Sequence, residues 1–388
     1  MNYNYPDRKN SGTTTIKVVC AVCFLLFSFL WLYEFQADIL AVAQHVLSGG
    51  LTTYHPMVGA IIITLVLLLF QWLVASFIRF PSHAYALSYV PSMLVIAFIS
   101  AVNADIDESS SSGIWFVVPP VLIVWGGLVW LTRQMSSYDT NGRQSMGFFS
   151  KRIWSNMLQM AVMMLLVTVA GNTHAVFHYS AHAEVALIHG DTDEALRVGE
   201  ESLETNERLT MLRVYALSKK GLLGDNLFNY PVAGSSEDML PMHTSLQILS
   251  ADSIWIHLGA IPSRKCSADE YYRSLERDSF ATSAVADYRL CGCLIDRRLD
   301  DFVSLLPKYY EVADSLPLPR HYQEALVLYR HLHTNPALVY HNSVVDEDWD
   351  NLKQLEAKYQ LRSERKYRVF DNYYGSYCIT ISINNCSV

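Results

Sequence analysis

HGDTDEALRVGEESLETN, His189 to Asn206, is the stretch on which the fold turns. Gly190 reads as the glycine of a tight turn between two helices. After it, Ala195 and Ser202, seven apart, put small residues on one helical face, and Asn206 and Glu207 stand where that helix is expected to end. Before it, Ala183 sits at the expected crossing point of a first helix, with Tyr179 near its start. A pair this rich in charge belongs in water, yet it follows a long apolar half. Residues 1–170 hold 8 Lys+Arg and 7 Asp+Glu, against 21 and 30 in residues 171–388. The whole chain is 51% hydrophobic and 17% charged, but only the first half is unlike a soluble protein. The second half, with net charge −9, lacks the basic face that nucleic acid requires.

Five apolar stretches approach the ~20 residues that a bilayer core demands. They lie near residues 18–33, 56–78, 84–102, 114–131 and 153–170, the third opening on Tyr and Ser. The first could serve as a signal peptide, but its run is long and ends in Trp31, Leu32 and Tyr33. The small-residue site Ala41-Val42-Ala43 lies well beyond it, so an uncleaved anchor is expected. Basic residues between stretches number three, none, one, none and four: Arg8, Lys9 and Lys17, then Arg79, then Arg133, Arg143, Lys151 and Arg152. Because Lys and Arg stay cytoplasmic, the alternation predicts a cytoplasmic N-terminus, five crossings and a C-terminal half outside, in the periplasm of a two-membrane bacterium. Gln71, Asn156 and Gln159 are the main polar groups within the stretches, and no ionisable residue sits mid-span. That counts against a pump or coupled transporter. Pro119-Pro120 and Gly126-Gly127 read as a tolerated kink in the fourth stretch.

The opening unit resembles a tetratricopeptide repeat, a 34-residue pair of antiparallel helices, at Tyr179, Ala183, Gly190, Ala195 and Ser202. It departs from the pattern at Ala186, where Tyr is common, and at Glu207, where Pro is common. Gly224-Asp225 recurs 34 residues after Gly190-Asp191, and Leu209, Leu212, Tyr215, Ala216 and Leu222 share a helical face between them. Phe228, Tyr230 and Pro231 then spoil the second helix, and VAGSSEDMLP (232–241) reads as a loop. Further helices are expected over Ser267–Phe280, which opens with a capping box, over Ala281–Asp314 with a turn at Asp296-Arg297-Arg298, over His321–Pro336 and over Asp346–Gln360. The expected fold is all-α: a transmembrane bundle in 1–170, then a soluble α-solenoid of tetratricopeptide-like pairs in 171–375 and an irregular tail in 376–388. The order of spans and degenerate repeats, and above all LPRHYQEALVLYRHLHTNP (318–336), is similar to multi-pass envelope proteins of Bacteroidota with such a C-terminal domain, a resemblance that implies no activity.

Residues with chemistry are few. Cys266, Cys291, Cys293, Cys378 and Cys386 fall in the exported half, where disulfides form, but spacing leaves any pairing of Cys266 with Cys291 or Cys293 open. His174, His178 and His182 share one helical face and are weak metal candidates; no metal or other cofactor is expected. No phosphate loop, dinucleotide fingerprint or nucleophile elbow is present, and no catalytic residue is nominated. The expected function is a membrane-anchored scaffold, in contact with lipid, that binds a protein or peptide partner in the periplasm, with Tyr179, Glu184, Arg213 and Tyr288 as groove residues. Two alternatives compete. One is an envelope enzyme or lipid-linked glycan handler with a site where bundle and solenoid meet, using Asp105, Asp107 or Glu108 beside the His face; the other is a transporter.

Overall fold

The computed structural model describes residues 9–101, 114–136, 150–313 and 316–378, with backbone alone at 9–12, 114–117 and 136. Val102, residues 103–113 with Asp105, Asp107 and Glu108, Arg8, Arg143, and residues 379–388 with Cys386 lie outside those residues. Among the described residues all regular structure is helical. The chain forms two compact units, residues 1–174 and 175–388.

The first unit contains α1 (Lys9–Leu30), which runs into a π-helical turn at Trp31–Phe35, then α2 (Ala37–Leu47), α3 (Pro56–Phe77), α4 (Val90–Ser100), α5 (Ile114–Ser136) and α6 (Lys151–Ala170). Three of its helical segments, Thr13–Phe35, Pro56–Phe77 and Lys151–Ala170, are long and apolar enough to cross a membrane. Their outward faces are as apolar as their inward ones: Ile62, Val66 and Leu69 on α3 and Leu158, Leu165 and Val169 on α6 are exposed. A helix that is apolar all round requires hydrocarbon, not water, around it.

Two features depart from expectation. The segment between Glu34 and His55, read as a loop, holds the eleven-residue α2, with Ile39, Leu40 and Val42 buried. The third predicted stretch is a 3₁₀ turn at Tyr85–Tyr89 followed by the apolar α4, shorter than the three long segments. The irregular backbone ahead of α4 is paid for in hydrogen bonds from α3 and α6. Asn156 Oδ1 accepts the Ala86 amide at 2.8 Å and its Nδ2 donates to the Ser82 and Arg152 carbonyls. Gln71 Nε2 donates to the Ser88 hydroxyl at 2.8 Å and to Tyr85 Oη at 3.2 Å. The polar residues of the membrane half thus hold broken backbone in place, as apolar surroundings demand. Pro119 and Pro120 stay within a continuous α5.

The second unit contains α7 (Ala175–Ile188), α8 (Thr192–Arg197), α9 (Glu207–Lys219), α10 (Leu223–Asn226), α11 (Ala251–Leu258), α12 (Ala268–Arg277), α13 (Ala284–Ile295), α14 (Leu299–Tyr309), α15 (Arg320–Leu332), α16 (Ser343–Lys358) and α17 (Arg362–Tyr373). Sequential neighbours pair, α7 with α8 and α9, α13 with α14, α15 with α14 and α16, around one core. Four helices end alike: a residue in left-handed backbone closes two bonds back to the last turn. At α7, Gly190 (φ 79°) donates to Leu187 O and Asp191 to Ala186 O. Gly221 closes α9 in the same way, and the non-glycines Ser279 and Arg297 (both φ 59°) close α12 and α13.

The opening stretch is corrected in its second half. Helix α8 spans only six residues, because Val198 is extended and Gly199 (φ 63°) turns the chain away. Asn206 begins a helix rather than ending one: its side chain accepts the Leu209 amide at 2.8 Å as the N-cap of α9. Ser202 lies on no helix. The recurrent Gly224 is not a turn glycine either. That role falls to Gly221, while Gly224 lies inside α10 against Pro319 and Tyr322, with no room for a Cβ. The loop at 232–241 contributes Met239 and Leu240 to the core, the charged segment after 360 forms α17, and Tyr377 and Cys378, expected in an irregular tail, are buried.

Candidate functional site

In the second unit, α12, α13 and α14 bound a polar cleft of about 150 Å³, small beside the ~300–1,000 Å³ of ordinary ligand pockets. Among its lining residues is Arg289, the one charged residue in the last eight positions of α13, and it is almost wholly buried. Burial is tolerable because every arm of the guanidinium is bonded. Nε and Nη2 donate to Asp269 Oδ1 at 3.2 and 3.0 Å, and Nη1 donates to Glu276 Oε2 and Tyr309 Oη, both at 3.1 Å. Asp269 and Glu276 are two turns apart on α12, so both face Arg289. Lys308 and Tyr309 of α14 also donate to Glu276. Burial alone pushes the Glu276 carboxyl up; the Lys308 and Tyr309 hydrogen bonds and the Arg289 charge outweigh it and hold it below the usual range. Burial opposes the Arg289 charge too, yet Tyr309, Asp269 and Glu276 raise its pKa overall.

The rim is built the same way. Arg273 pairs with Asp269 at 2.6 Å, and Arg298 pairs with Asp296 at 3.1 Å and Asp301 at 3.2 Å. Asp296 also accepts the Ser236 hydroxyl and amide, tying the 232–241 loop to the end of α13. The cleft therefore presents fixed charges of both signs whose partners are already chosen. Its one thiol, Cys293, is pushed up to about 11 by burial and stays protonated near neutral pH, so it is no ready nucleophile. An arrangement of paired ions with room for one ring-sized group suits recognition of a single side chain.

The residues expected to line a groove do not meet in this cleft. Glu184, Arg213 and Tyr288 are buried and so face no partner; Tyr179 is half-buried, its ring packed where a Cβ on Gly199 would stand. They lie on α7, α9 and α13, and the first three named face the core of the unit rather than a groove. Glu184 Oε2 accepts the backbone amides of Gln247, Ile248 and Leu249 at 3.0, 2.6 and 3.0 Å. Burial raises its pKa, and those three amides pull it only part of the way back. Arg213 donates from Nη2 to the Val198 and Gly199 carbonyls and lies 4.9 Å from the Tyr230 ring centroid. Its Nε and Nη1 have no hydrogen-bond partner among the described residues, and burial lowers its pKa.

His174 precedes α7 in the first unit; His178 stacks edge-on to Phe177, and His182 lies 3.4 Å from Glu194. Among the described residues no three His, Cys, Asp or Glu gather as a metal would need. Cys20, Cys23, Cys266, Cys291, Cys293 and Cys378 are free thiols. The sequence did carry a signal for the Arg289 cluster: the one charge in the apolar run Tyr288–Ile295 calls for carboxylates, and Asp269 and Glu276 sit seven apart on the helix before it. No family model, curated protein or solved structure matches this chain.

Proposed function

We propose that the chain is a membrane-anchored scaffold whose helical domain docks a protein or peptide partner, with the α12–α14 cleft receiving one partner side chain. The observation that carries this reading is the cleft itself: about 150 Å³, ringed by Arg273, Arg298, Asp269 and Asp301 over a fully bonded Arg289. It is too small for a typical substrate, and its acids and thiol are committed or protonated, whereas one anchoring side chain in a charged rim is how hot spots are built. The three long apolar segments support the anchor, and the alternation of loop charges supports five crossings with the helical domain in the periplasm. The short α8 and α10 support a degenerate, tetratricopeptide-like solenoid over a regular one.

A photo-crosslinking residue at Ser304, an exposed position lining the cleft, tests the docking in cells making the full chain. A discrete adduct at Ser304, absent at exposed Lys366 on α17 and lost with Arg273→Glu, is the expected result. Identical adducts at both positions, or none at either, refute it. Reporter fusions at residues 140 and 200 test topology: opposite sides of the membrane are expected, and the same side breaks the five-span reading.

A further inference from the structure

Between α1 and α3 of the first unit runs an open groove of about 470 Å³. Leu65, Leu68, Leu69 and Val18 make its walls apolar, and Leu65 to Trp72 give it a length of about 10 Å along α3 at 1.5 Å per residue. Its mouth is different. Lys17 is the one cation among the lining residues, and no acidic residue joins it. The ammonium stands 5.7 Å from the Tyr85 ring centroid. The Tyr85 hydroxyl accepts from Gln71 at 3.2 Å, so its own proton is left to give, and no acceptor for it is found among the described residues. Two donors thus stand together at the end of an apolar trough, beside the exposed indole of Trp72. A chain of methylenes gains about 0.8 kcal/mol for each group it buries in such a trough, and an ammonium with a phenolic proton beside it suits a phosphate oxygen.

We infer that this groove is a binding site for one anionic phospholipid, its acyl chain along α3 and its phosphate between Lys17 and Tyr85. The inference rests on the membrane reading of α1 and α3 and is independent of the docking proposed for the second unit. Basic pockets between membrane helices hold anionic headgroups on the same physical grounds.

The full chain, reconstituted into vesicles, is titrated with dibrominated phosphatidylglycerol or dibrominated phosphatidylcholine. The Trp72 quenching is taken as the part lost in Trp72→Phe. The expected preference for the anionic lipid is about fivefold, the fold-change that one lysine near a lipid surface provides. Lys17→Gln should bring it close to one, and Lys17→Arg should keep it. Equal quenching by both lipids, or an unchanged preference in Lys17→Gln, overturns the site. Relief of quenching by millimolar glycerol phosphate would show a phosphate site without a lipid and also overturns it. A chain that stays soluble without detergent and is quenched by neither lipid sinks the membrane reading instead.

Discussion

Glu184 sets up a test in which charge and shape can be separated. Its carboxylate is wholly buried and gathers three amides from residues 247–249, just ahead of α11. Glu184→Ala leaves three buried N–H groups without acceptors, and at about 1 kcal/mol or more for each the loss is at least about 3 kcal/mol. For a unit of this size that lowers the melting temperature by roughly 6–12 °C. Glu184→Gln keeps one oxygen where Oε2 stands, removes the charge and gives up the longer contact of the Gln247 amide with Oε1, 3.2 Å. Because the carboxyl pKa is raised in the fold, burial costs the charge more than the amides return, so Gln should cost under about 1 kcal/mol. The sign with pH follows. A raised folded pKa means this group's stabilising share is complete below the unfolded pKa and is lost as pH rises through the folded one. Wild type minus Glu184→Gln should therefore shrink in stability from pH 5 toward pH 8. Thermal unfolding of the full chain in detergent, followed by the fluorescence of Trp255 on α11, reads all three quantities. If Gln proves as damaging as Ala, or Ala is harmless, the reasoning about the three amides is wrong.

Other outcomes follow from single features. Arg297→Gly replaces an exposed arginine in left-handed backbone; the relief of about 1–2 kcal/mol exceeds the glycine's entropy cost of about 0.5–1, so the melting temperature should rise by a few degrees, and any fall counts against the cap assignment. Arg289→Met takes the buried cation from Asp269 and Glu276, leaving them Arg273, Lys308 and Tyr309, and should cost about 2–3 kcal/mol in urea titration, less than a fully buried pair because those partners remain and Asp269 is part-exposed. Added to Glu276→Gln in a double-mutant cycle, it should show a coupling of about 1–3 kcal/mol, and strict additivity would dissolve the cluster into separate surface pairs. Tyr377→Ala removes a fully buried ring whose hydroxyl donates to Leu294 O and should cost about 3–5 kcal/mol by calorimetry; a neutral result would place the ring outside the core.

The sequence displays elements better than it displays which side of them is buried. Apolar runs longer than any core helix made α1, α3 and α6 legible, and Gly190 and the Asp296–Arg298 turn were readable because left-handed closure has a local signature. Helix α2 escaped because eleven residues between two spans look like a loop when the window is set for crossings. The failure at Asn206 was one of polarity: Asn serves at both ends of helices, and the acidic Glu207 after it was the mark of a beginning. Glu184, Arg213 and Tyr288 were misplaced for a deeper reason. Charge and hydroxyl normally mean surface, and only partners far along the chain, the 247–249 amides and the Val198 and Gly199 carbonyls, make burial tolerable. The Arg289 cleft is of the same kind, since its geometry exists only once three helices have come together.

The hold of Glu184 on residues 63 to 65 positions further along has a consequence for biosynthesis. In a true repeat array each pair of helices settles as it emerges, and stability accrues by neighbours. Here the first helix of the domain has to wait, its carboxylate solvated, until the segment that satisfies it has been made. The domain's order of assembly is therefore not its order of synthesis, and a nascent chain paused before residue 249 carries an α7 that has nothing yet to close upon.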